Sequence, residues 1–328
     1  MRILSLLALA IATQLPGPSV MAAEAGEFCA SALKQARLSR LAAANDGLLP
    51  RSEREGSRYF RGCRYDVGWM RATRELLCGS GPTEKAALEL PRAIMFFFDG
   101  AAQFNAARGF ALGAVNLDGS EGKDIVGGGD GIEALERFSA DEAHAFARER
   151  SGIQLHYHPS SGFVQRENYL SAVACVREMQ DYLEALRAQR LLTHEPRWVF
   201  SGYSNGGYLA LELQRELGPR LGAVDLVLTV DPIRQVNGYI QGSFSPTIGE
   251  RAASTRRLVN VYQNEDYGSL PPLRFRSRPV VGADENRHQR TELEPEVFPR
   301  QGHKAHVLIM KSALVEEIFH RELAALFP

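Results

Sequence analysis

The stretch Arg197-Trp-Val-Phe-Ser201-Gly202-Tyr203-Ser204-Asn205-Gly206-Gly207 decides the fold. Its first half, Arg197–Ser201, is short, apolar and aromatic, as a strand inside a sheet must be. Its second half opens Gly206–Leu217, a segment with the 3.6-residue apolar spacing of a helix. Between them stands Gly-x-Ser-x-Gly. A serine on so sharp a strand-to-helix turn has strained backbone angles, and side chains beside it would strike the adjacent strand and helix. Gly202 and Gly206 remove those side chains. The turn lifts the Ser204 hydroxyl above the carboxyl edge of the sheet, near the positive end of the helix dipole. The Asn205 N–H can then face a developing oxyanion. Ser204 is the candidate nucleophile and Asn205 a candidate oxyanion donor.

The same alternation extends in both directions. Upstream, Arg92-Ala-Ile-Met-Phe-Phe-Phe-Asp99-Gly100 is a continuous apolar run stopped by Asp-Gly, the signature of a strand buried on both faces. Ile153–His158 is a second short strand. It leads into a helix from about Glu167 to Leu192, with Leu170, Val173, Val176, Met179, Leu183 and Leu186 on one side. Downstream, Val224–Val230 and Leu258–Gln263 read as strands and Ser312–Phe327 as a terminal helix. Strands alternating with helices predict an α/β fold, a mostly parallel central sheet with helices on both faces. Residues 91–328 form that domain. Residues 23–90 are expected to be an N-terminal helical extension, with Ala/Leu/Arg-rich stretches at Ser31–Ala44 and Val67–Leu77. The six glycines between Gly119 and Gly131 mark a surface loop or rim over the site.

With 38 Lys+Arg against 39 Asp+Glu in 328 residues the formal net charge is -1, and the charges are scattered. No basic surface for nucleic acid or anionic lipid is indicated. Met1-Arg2, the apolar stretch Ile3–Ala12 and the small residues near Ala22 have the layout of a signal peptide over residues 1–22. That apolar stretch is about half of the roughly 20 residues needed to cross a bilayer. The expectation is a periplasmic or secreted protein with no transmembrane segment. Export permits disulfides among Cys29, Cys63, Cys78 and Cys175. At least one bridge is expected among the first three. Cys175, inside a helical pattern, reads as a buried small apolar residue.

From about Ile94 to the C-terminus the chain resembles the α/β-hydrolase fold, and the turn at Ser204 is similar to that of lipases and esterases. The resemblance implies an acid and then a histidine after the serine. Asp231-Pro232, at the end of the next strand, is similar to the acid position of pancreatic-type lipases. Glu265 and Asp266 are its rivals, because many α/β-hydrolases keep their acid after the Leu258–Gln263 strand. In Gly302-His303-Lys304-Ala305-His306, just before the last helix, His306 is preferred to His303 as base. His288 is a remote third choice, and His320 falls within the helix. The second oxyanion donor of the family lies after an early strand, here Phe98-Asp99-Gly100-Ala101. No His-Gly pair stands there, and the N–H of Gly100 or Ala101 is the candidate, with Asp99 a turn former.

The activity so implied is hydrolysis of a small-molecule or lipid carboxylic ester through an acyl-enzyme, with no cofactor. The same residues would serve an acyltransferase or a peptidase, and a noncatalytic binding protein of this fold would keep Ser204 for its turn alone. His156-Tyr157-His158 puts two imidazoles on one strand face, but no carboxylate or cysteine cluster follows, so no metal is assigned. Asp118, Asp124 and Asp130 lack calcium-loop spacing.

Overall fold

The computed structural model describes residues 26–32, 68–79, 88, 90–98, 153–158, 165–236, 239–240, 246–266, 275–300 and 305–326. The leader at 1–22, most of the extension at 23–90, Cys63, Asp99, Gly100, the loop at 119–131 and His303 lie outside the described residues.

Strand β1 (Ala93–Phe98) shows how the sheet is built. All six residues are buried, and successive side chains go to opposite faces. Ile94, Phe96 and Phe98 join one core with Trp198, Phe200 and Leu213, whereas Ala93, Met95 and Phe97 join a second with Val199, Leu228 and Ile318. On either side of β1 lie β2 (Ile153–His158) and β3 (Arg197–Tyr203), and β4 (Val224–Val230) lies beyond β3. Two-residue ribbons follow: β5 (Gln235–Val236) antiparallel to β6 (Tyr239–Ile240), and β7 (Gly249–Glu250) parallel to β9 (Val280–Val281). Strands β8 (Thr255–Tyr262) and β10 (Glu285–His288) complete the main sheet. Its order is β2-β1-β3-β4-β8-β10, with every pair parallel.

Helices cover both faces. On the first lie α1 (residues 26–32), α2 (Gly68–Cys78), α3 (Gln165–Ala188) and α4 (Asn205–Leu221). Of the stripe expected of α3, Val173, Val176, Met179, Leu183 and Leu186 are all buried there, and the Leu170 side chain lies outside the described residues. On the second lie the short α5 (Ala305–Leu308) and α6 (Ala313–Ala325). The Ser312 hydroxyl caps α6 by accepting the Val315 N–H at 3.2 Å. Helix α4 runs past its expected end at Leu217 to Leu221, carrying Pro219 in its last turn. A proline there forfeits only one backbone hydrogen bond close to the helix end.

A disulfide joins Cys29 of α1 to Cys78 of α2, 49 residues apart in sequence. Closing a loop of that length in the unfolded chain is worth about 4 kcal/mol in the chain-entropy account. Cys175 is buried, as expected, but it too is disulfide-bonded, which corrects its reading as a simple apolar residue. A helical pattern reports which face of α3 is covered and is silent about what a thiol on that face meets. Among the described residues no helix is long and apolar enough to cross a membrane.

Candidate functional site

Three neighbouring strands end at one edge. After β3 comes Ser204, after β4 Asp231 and after β8 Gln263, in the region outside the carboxyl ends where open parallel sheets bind ligands.

Ser204 has φ 57° and ψ −125°, a conformation costing about 1–3 kcal/mol for a residue with a side chain. Three backbone hydrogen bonds hold it there. Its N–H donates to Val230 O at 2.9 Å, and its carbonyl accepts the N–H groups of Ile233 at 2.9 Å and Tyr208 at 3.2 Å. A Cβ on Gly202 would lie 2.4 Å from the Gly206 carbonyl oxygen, and one on Gly207 would lie 3.2 Å from Pro232 Cβ. The turn therefore demands glycine at Gly202 because the Gly206 backbone passes against it, and Gly207 admits the proline after Asp231.

Ser204 occupies the N-cap of α4, where a serine hydroxyl ordinarily accepts a backbone N–H. Here it makes no such bond. Its Oγ lies 2.9 Å from His306 Nε2, and His306 Nδ1 lies 2.6 Å from Asp231 Oδ2. All three side chains are buried or nearly so. Asp231 also adopts positive φ, at 46°, and its N–H donates to Val261 O at 2.7 Å. Complete burial holds its carboxyl above the usual carboxylate range, and hydrogen bonds from His306 and Gln263 offset that rise only in part. The imidazole stacks against the rings of Tyr203, at 5.2 Å, and Phe275, at 5.0 Å.

Asn205 is buried, and its N–H is the first of α4, one of those that a helix leaves unpaired. The rival acids stand elsewhere. Asp266 accepts the backbone N–H of His306 at 3.1 Å rather than its ring, and Glu265 accepts the Thr291 hydroxyl at 2.6 Å. His288 bonds Asn264 at 2.9 Å, and His320 sits on α6 near Glu316. His156 and His158 pair in register with Phe96 and Phe98 through the β2 backbone, and their side chains fall outside the described residues. Of the expected site residues, then, Ser204, Asn205, Asp231 and His306 come together, with Gly100 and His303 outside the described residues. Gln263, Tyr203 and Phe275 were not anticipated. Gln263 alone had a signal, its place at the end of the strand beside Asp231.

No protein-family model matches the chain, and no curated protein matches it.

Proposed function

We propose that the protein is a serine hydrolase of the α/β-hydrolase type that cleaves carboxylic esters through an acyl-enzyme. The observation that carries this reading is the Ser204 hydroxyl, withheld from capping α4 and paired instead with an imidazole whose other nitrogen meets a buried carboxylate. The all-parallel sheet and the chain order serine, aspartate, histidine support it.

In this reading His306 Nε2 takes the Ser204 proton as Oγ attacks the ester carbonyl carbon. The carbonyl π electrons move to oxygen, and the resulting oxyanion is met by the Asn205 N–H with a second donor near Gly100. Asp231 holds Nδ1–H, fixing the tautomer and stabilising the imidazolium. The C–O bond then breaks, and Nε2 returns the proton to the departing alkoxide. Water, deprotonated by the same nitrogen, attacks the acyl-enzyme and releases the acid with Ser204 restored. The disulfide-bonded cysteines support export to an oxidising compartment, periplasmic or extracellular.

Hydrolysis of p-nitrophenyl esters of increasing acyl length tests the reading. The expected result is turnover that Asp231→Asn lowers by about 10⁴-fold, and the length profile separates a small-ester substrate from a lipid one. A folded wild type that hydrolyses none of them would overturn the esterase reading.

A further inference from the structure

Gln263 is fully buried, and every polar group of its side chain is engaged. Its Nε2 donates to Asp231 Oδ2 at 2.7 Å and to the Phe275 carbonyl at 2.6 Å. Its Oε1 accepts the N–H groups of Glu265 at 2.9 Å and Asp266 at 2.8 Å, and its own backbone N–H donates to Asp231 Oδ1 at 3.0 Å. Acceptors face one end of the amide and donors the other, so turning it over would break all four side-chain bonds. Asp266 continues the chain of contacts, taking the backbone N–H of His306 on Oδ1 and that of Phe275 on Oδ2, both at 3.1 Å. With the bond from His306 Nδ1 to Asp231, the contacts close a ring through Asp231, Gln263, Asp266 and His306.

One amide therefore joins the carboxylate under the imidazole to the turn whose carboxylate holds the backbone of the same histidine. We propose that Gln263 is the positioning residue of the site, fixing which carboxylate oxygen of Asp231 faces the imidazole and where His306 stands. This rests on the reading of Ser204, His306 and Asp231 as a catalytic triad.

Among the described residues the titratable side chain bonded to Asp231 is His306. Asp266 meets His306 through its backbone, on the far side of Gln263. Gln263→Leu removes a donor from the oxygen that the imidazole uses. Asp231 then takes up a proton at higher pH, and the histidine loses its fixed placement.

The test compares the full chain with Gln263→Leu and Gln263→Glu by fluorophosphonate labelling rate against pH and by the downfield proton resonance of His306 Nδ1–H. The expected results for Gln263→Leu are a plateau rate lower by about 100-fold, an acid limb moved to higher pH and a displaced resonance. Gln263→Glu, which keeps side-chain volume, moves the limb further because two carboxylates then face each other. Should the leucine variant not fold, the glutamate variant decides by the same two readouts. Folded variants with the wild-type limb and resonance would overturn the proposal, since a space-filling role predicts neither change. A wild type that takes no label would defeat the triad reading, and the resonance would still decide whether Gln263 orders His306.

Discussion

Tyr203 grips His306 twice, its hydroxyl donating to the histidine backbone carbonyl at 2.7 Å while its ring stacks on the imidazole at 5.2 Å. The residue before the candidate nucleophile thus helps to set the imidazole that faces it. Tyr203→Phe keeps the ring and removes a buried hydrogen bond, so it should cost about 0.5–1.5 kcal/mol in urea unfolding and lower the ester hydrolysis rate. Tyr203→Leu, which loses both contacts, should lower the rate further. Equal rates in the two variants would show that stacking contributes nothing.

Gly202→Ala should be among the most damaging single-methyl additions among the described residues. Its new Cβ meets backbone at 2.4–2.5 Å, where nothing flexible can yield. A loss of about 3 kcal/mol is expected, with disruption of the Ser204 turn. Gly222→Ala is the control. That glycine has φ 80° and open space around it, so only backbone strain of about 1–2 kcal/mol is incurred. Denaturant midpoints measured side by side check the ranking.

Acid sensitivity should concentrate at the docking of α6. Glu322 accepts Arg257 Nε and Nη2 on its two oxygens, each at 2.8 Å, and Arg321 Nη2 also at 2.8 Å. The Arg257 hydrogen bonds, followed by those of Arg321, hold its carboxyl below the usual range. A lowered value in the folded state favours the ionised form. The stabilisation is present above the unfolded-state value of about 4.3 and is lost as pH falls through the folded value. Glu322→Gln should therefore be less stable than wild type at pH 7, with the gap closing in acid. Urea midpoints across that range provide the check, and a constant gap would assign the effect to packing.

Strands covered on both faces could be read in advance because they have to be apolar. Val224–Val230 runs where expected, and Arg197–Ser201 extends only to Tyr203. Strand β10 could not be read. Glu-Asn-Arg-His lies at the sheet edge, where Glu285 pairs with Arg257 and Arg321, and Asn286 accepts the Asn260 amide at 2.9 Å. An edge strand that spends its side chains on ions and amides has no apolar period to detect.

Ser204, Asp231 and His306 were legible because each side chain carries chemistry that suits its place in chain order. The choice between Asp231 and Asp266 was not, since it depends on whether a carboxylate meets the histidine ring or its backbone, a distinction that only the turn after β8 makes. Phe275 carried no signal at all, because an aromatic side chain in a loop looks the same whether or not it stacks on an imidazole.

The most direct test of the central claim is the mass shift of the full-length protein on exposure to a fluorophosphonate, beside that of Ser204→Ala. The account predicts a single adduct on the wild type, formed at Ser204 and absent from the variant. A folded wild type that gains no adduct, or a variant that gains the same one, would contradict it.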